Sequence, residues 1–160
     1  MSRVLILGIG SPAGDDQAGW LVVDALRVLG VENFVGVVVD KLDRPGASLV
    51  AKFESAAHVV LIDAMQSGEA VGSIRRFDGE DWPQYGGGLS SHGFGVLAAL
   101  ALARELGGLP SRLDLYGIEI ASANPGEVPG EAIRTAVQEL ARQIANEIFE
   151  PPPAWAGRAA

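Results

Sequence analysis

The run Val4-Leu5-Ile6-Leu7-Gly8-Ile9-Gly10, continuing as Ser11-Pro12-Ala13-Gly14-Asp15-Asp16, constrains the fold more than any other stretch of the chain. A continuous apolar run of this length reads as a strand buried on both faces, and the helical pattern after it makes the connection a βα loop. Such a loop opens at the carboxyl edge of the sheet, the edge where open α/β sheets bind ligands. Asp15 and Asp16 therefore stand where chemistry is usually done. Either one also suits a helix N-cap or a first helical turn, which needs no ligand at all.

The pattern then alternates. Residues 18–29 carry Trp20, Leu21, Val23, Ala25, Leu26 and Leu29 at helical spacing, with Gly30 as a stop signal. Residues 34–39 read as a second strand closed by Asp40, and 47–55 as a short helix after the loop Asp43-Arg44-Pro45-Gly46. His58-Val59-Val60-Leu61-Ile62-Asp63 repeats the opening design, a buried strand ending in an acid. Residues 71–77 form an edge strand in this reading, because Arg75 and Arg76 lie within it. A Gly-rich loop over 79–88 precedes Ser90-Ser91-His92-Gly93 and an apolar helix over 96–106. Residues 113–120 read as a strand with Glu119 near its end. Ile133, Val137, Leu140, Ile144 and Ile148 make the single stripe of a last helix. This alternation predicts one α/β domain over residues 1–150, a three-layer design with a mostly parallel, twisted sheet of about five strands and helices on both faces. The tail 151–160, opening with three prolines, reads as disordered.

With 160 residues, the chain suits one domain with a substantial core. Its formal net charge of −8 argues against nucleic acid or an anionic membrane as the partner, and leaves cations open. The absence of cysteine excludes disulfides, thiolate metal sites and cysteine nucleophiles. No apolar run is long enough to span a bilayer and no export signal is recognisable, so a cytoplasmic location is expected. There is no Gly-x-Ser-x-Gly elbow for a serine hydrolase, and sequence neighbours such as Asp15 and Asp16 make a poor aspartic-protease dyad.

Three potential ligands fall on the same edge: Asp16 after the first strand, Asp63 at the end of the third, and His92 at a helix start. Two carboxylates and an imidazole suit a divalent transition metal such as nickel, zinc or manganese, with water completing the shell. Each has a duller role open to it, as a cap or a hydrogen-bonding residue. His58, at the start of its strand and on the opposite edge, is read as structural.

In their order, Gly8-Ile9-Gly10-Ser11, Gly14-Asp15-Asp16, Leu61-Ile62-Asp63-Ala64, Ser91-His92-Gly93 and Tyr116-Gly117-Ile118-Glu119 resemble the hydrogenase maturation endopeptidases, over nearly the whole chain to Phe149. The resemblance implies a phosphorylase/hydrolase-like fold. It also implies a protease that removes a C-terminal extension from the large-subunit precursor of a NiFe-hydrogenase once nickel has been inserted. The metal-contacting residues of that family map to Asp16, Asp63 and His92, which would serve both as catalytic residues and as ligands. The metal would be nickel carried by the precursor, or another divalent ion. The chain departs from the family pattern at Ser11, where Asn is usual, at Gln17, at Ile120 in place of Pro, and in the loop 43–46.

Two other functions fit parts of the same pattern. A dinucleotide-binding oxidoreductase would use Gly8-x-Gly10 and Asp40, but the glycine spacing is one residue too long. Asp15 and Asp16 would also repel a pyrophosphate at the helix start. A non-catalytic nickel- and precursor-binding chaperone would use the same three ligands.

Overall fold

A computed structural model describes residues 3–12, 14–43, 48–54, 56–78, 96–121 and 128–149. The elements are β1 (Val4–Gly10), α1 (Ala18–Val28), β2 (Val37–Asp43), α2 (Leu49–Lys52), β3 (His58–Met65), β4 (Ile74–Asp78), α3 (Val96–Glu105), β5 (Arg112–Glu119) and α4 (Glu131–Phe149). Short 3-10 turns precede and follow α1, over Gly14–Gln17 and Val31–Asn33.

The sheet order is β2-β1-β3-β5-β4. Four strands are parallel and β4 is antiparallel to β5, so the sheet is mixed, with the arginine-bearing strand on its edge as expected. The chain leaves β1 in one direction, to β2, and comes back past it to β3. The carboxyl ends of β1 and β3 therefore flank a topological switch point, where the two outgoing connections diverge and a crevice opens.

Alternate positions of the same strands feed two separate apolar clusters, as the two-residue repeat of a strand requires. Ile6, Val60, Ile62, Tyr116 and Ile118 pack with Val22 and Leu26 of α1 and with Ile133, Val137, Leu140 and Ile144 of α4. Leu5, Leu7, Ile9, Val59, Leu61 and Leu115 pack with Leu49, Phe53, Ala99, Leu100 and Ala103, under α2 and α3. Each fully buried leucine or isoleucine contributes about 1.5–3 kcal/mol of transfer free energy.

Several boundaries differ from the sequence reading. The second strand begins at Val37 instead of 34, because Gly36 adopts a left-handed conformation (φ 83) and breaks the apolar run; Val35 is left 83% exposed in the turn. Asp40 is consequently inside β2, not at its end. The helix expected over 47–55 is a single turn, with Phe53 and Glu54 already turning away. The strand expected over 71–77 starts at Ile74, after a turn built on Gly72 (φ 91). The loop expected over 79–88, the helix start around His92 and the tail 151–160 lie outside the described residues. Among the described residues no helix is long and apolar enough to cross a membrane.

Candidate active site

The three glycines around the first loop control how closely α1 approaches the sheet. A Cβ on Gly8 would lie 2.3 Å from the carbonyl oxygen of Gly19, and one on Gly19 would lie 2.3 Å from that of Ile9 and 2.6 Å from that of Ile62. A Cβ on Gly10 would meet the Asp16 carbonyl at 2.8 Å. Backbone thus rests directly on backbone. The Gly-x-Gly pair is a packing device that seats the start of α1 across β1 and β3, and this brings Asp16 to Asp63. Trp20 steadies the seat from the side, donating its Nε1 hydrogen to the Leu42 carbonyl at 3.0 Å.

Asp15 and Asp16 are both buried, at 7% and 1% exposure, yet their surroundings assign them different work. The two oxygens of Asp15 accept from backbone: Oδ1 from the Gly130 N–H at 2.9 Å and Oδ2 from the Ala121 N–H at 3.3 Å. Asp15 is therefore a latch that ties the first loop to the end of β5 and to the start of α4. Asp16 Oδ2 accepts from the Ser11 hydroxyl at 2.5 Å, and the Ser11 N–H donates to the Asp16 carbonyl at 3.3 Å.

Asp63 does not end its strand. Ala64 and Met65 continue the pairing with Ile118 and Glu119, so its side chain emerges within β3 and is only 1% exposed. Its Oδ1 accepts from the Ala64 N–H at 2.8 Å, while its Oδ2 has no hydrogen-bond partner among the described residues. Burial raises the Asp63 pKa well above the ordinary carboxylate value; the Ala64 hydrogen bond opposes this and the nearby Asp16 charge adds to it. Two buried carboxyl groups thus lie near one another, one of them with an oxygen that no described residue satisfies, an arrangement that is costly unless a ligand compensates it.

Glu119, at the end of β5, is also buried. Its carboxylate accepts from the Ser67 N–H at 2.9 and 3.1 Å and from the Ser67 hydroxyl at 2.5 Å, fixing the chain just beyond β3. Sequence reasoning noted Ser11 and Glu119 only as parts of a pattern. A hydroxyl five residues before a buried acid was the available signal for Ser11. Nothing local announced the Glu119–Ser67 contact. His58 lies at the opposite edge against Asp114, in accord with its structural reading. His92 falls outside the described residues, and among those described no group of three or more His, Cys, Asp or Glu side chains is gathered as a metal site.

The profile of the hydrogenase maturation protease family, of the HycI type, matches residues 44–149, two thirds of the chain. The chain belongs to this family. Among curated relatives, the hydrogenase expression/formation protein HupD of Thiocapsa roseopersicina is 31% identical over 120 residues, 73% of this chain. The chain spans about half of that relative's length, 54%. The NiFe-hydrogenase maturation protease HycI of Thermococcus kodakarensis KOD1 superposes with a TM-score of 0.74 at 26% identity, covering 93% of this chain and 94% of that one. The hydrogenase maturating endopeptidase HybD of E. coli shares the fold, with a TM-score of 0.78 at 23% identity over 92% and 93% of the two chains. For a maturation protease, the glycines at the end of β1 no longer need a nucleotide to explain them: they let α1 pack close and so place an aspartate.

Proposed function

We propose that this maturation protease is an endopeptidase that removes the C-terminal extension of a nickel-loaded NiFe-hydrogenase large-subunit precursor. Asp16, Asp63 and His92 would be both its catalytic residues and the ligands that engage the nickel held by the precursor. The single observation that carries this reading is the buried Oδ2 of Asp63, which has no hydrogen-bond partner among the described residues and feels the charge of nearby Asp16. Asp16, Asp63 and His92 would hold a divalent ion arriving with the substrate, and that ion would supply Lewis-acid chemistry towards the scissile carbonyl. Asp16 accepts a proton from the attacking water as the water oxygen bonds to the carbonyl carbon, and returns that proton to the amide nitrogen as the C–N bond breaks. Asp15, with both oxygens on backbone amides, is not the base. We also read the two apolar clusters on opposite sheet faces as a three-layer, phosphorylase/hydrolase-like architecture.

The test is incubation with nickel-loaded and nickel-free precursor, followed on a gel. Cleavage of the loaded form only, lost in Asp16→Ala, Asp63→Ala and His92→Ala variants, is expected. A loaded precursor that is bound but left intact by the wild type would instead make the protein a nickel- and precursor-binding chaperone. Quenching or enhancement of NADH fluorescence on addition of the protein would favour the oxidoreductase reading.

A further inference from the structure

We propose that Ser11 is a positioning residue for Asp16, holding its carboxylate in the one orientation that the incoming metal meets. This rests on the metal-engaging role of Asp16 and Asp63. Ser11 is 2% exposed and stands directly after β1, at the switch point. It grips Asp16 twice, through its N–H to the Asp16 carbonyl at 3.3 Å and through its hydroxyl to Asp16 Oδ2 at 2.5 Å. In the second contact the hydroxyl donates and the carboxyl oxygen accepts. Both residues are closed to water, at 2% and 1% exposure, where a hydrogen bond to a carboxyl group counts for more than at the surface.

The two grips have separable consequences. The backbone bond, together with the tight packing at Gly10, where an added Cβ would lie 2.8 Å from the Asp16 carbonyl, holds the Asp16 backbone against the end of β1 whatever side chain follows Gly10. The hydroxyl bond acts on the Asp16 carboxyl group. With Oδ2 tied, Asp16 meets a metal in a preset orientation, whereas Asp63 has no such tie on its own Oδ2. Removing the hydroxyl should therefore spare the fold and weaken the metal contact. Hydrogen-bond partners of ligating carboxylates are typically worth about 10–100-fold in metal affinity.

The experiment is calorimetric titration of the full chain with Ni²⁺ alone, thermal unfolding, and kcat and KM for nickel-loaded precursor. Ser11→Ala should bind Ni²⁺ about 10–100-fold more weakly, with kcat reduced to match and the melting temperature nearly unmoved. Ser11→Thr, which keeps the donor, should restore binding. In an Asp16→Asn background, Ser11→Ala should change affinity by no more than about twofold, since both changes act through one contact. Unchanged Ni²⁺ affinity in Ser11→Ala overturns the proposal, and so does a melting temperature that falls while affinity stays. Full loss from Ser11→Ala in the Asp16→Asn background overturns it too. If Asp16→Asn itself leaves Ni²⁺ binding and cleavage intact, the metal-engaging reading fails first, and this proposal with it.

Discussion

Two aspartates on neighbouring strands are equally buried and are treated in opposite ways. Asp114, near the start of β5, faces His58 Nε2 at 2.8 Å, Arg76 Nη2 at 2.6 Å and Arg112 Nε at 3.2 Å. Burial alone would raise its pKa, but the hydrogen bonds from His58 and Arg76 and the charges of Arg76 and Arg112 outweigh it and hold the group at about 2. Asp63, late in β3, has one backbone donor and a second carboxylate for company. At the amino edge the fold satisfies its buried charge with three partners; at the carboxyl edge it leaves one unsatisfied. A buried acid without compensation is destabilising, and such groups gather where a ligand completes them. The asymmetry separates an end of the sheet whose buried acid is compensated from an end whose buried acid is not.

The largest effect expected from this division is a crossed pair of phenotypes. Asp63→Ala should reduce cleavage of loaded precursor on the order of 10³-fold, the scale of several kcal/mol of lost Lewis-acid engagement, while folding persists. Asp114→Ala should leave cleavage per folded molecule unchanged. Parallel activity and urea-unfolding measurements decide it; equal activity losses in both variants would erase the division.

Next in size is the seat of α1. Gly19→Ala places a methyl 2.3 Å from a backbone oxygen, so the helix must lift from β1 and β3. Overpacking of this kind costs about 1–3 kcal/mol, and here it should also separate Asp16 from Asp63. Ni²⁺ affinity and stability should fall together in this variant, unlike in either aspartate substitution.

Asp114→Ala itself should cost about 2–3 kcal/mol, because it strands His58 and removes hydrogen bonds from charged donors. Arg76 and Arg112 are about half exposed and remain solvated, so the loss is smaller than for a fully enclosed network. The Asp114 pKa is depressed in the fold, so its contribution is complete above the ordinary carboxylate value of 3.8 and is lost as pH falls towards about 2. The wild type should lose stability over that window and the variant should lack that limb of the curve.

Much of this organisation was readable in the residues, and what was not has identifiable causes. The buried strands, the long last helix and the placing of Asp16 and Asp63 on one edge followed from apolar runs and from the rule that parallel strands deliver their loops to the same side. The site's inner division did not. Asp15 and Asp16 are interchangeable in sequence, and what separates them is a pair of amides 106 and 115 residues further along the chain. Gly8-x-Gly10 looked like a ligand loop because close approach to a helix backbone and close approach to a phosphate demand the same missing side chain. Asp63 looked terminal because acids often end strands, whereas pairing with β5 carries β3 two residues further. Gly36 shows the opposite failure, a single left-handed residue cutting an otherwise convincing strand.

The smallest expected effect has the reverse sign. Asp63 holds its proton more tightly folded than unfolded, so the unfolded chain ionises first as pH rises. Between the ordinary carboxylate value and the raised folded one, stability therefore declines with increasing pH. Asp63→Asn keeps an oxygen to accept from Ala64, cannot ionise, and offers an amide donor towards Asp16 in place of a repelling charge. It should be inactive yet more stable than the wild type by roughly 1 kcal/mol at neutral pH, the scale on which relieving a strained functional site stabilises a fold. The gap should close as pH falls below the ordinary carboxylate value of 3.8 and the wild-type side chain becomes neutral in both states. Denaturant midpoints at several pH values measure that gap directly. A gap that stays constant with pH would mean that Asp63 is compensated in the folded protein, and that the two ends of the sheet treat their buried acids alike.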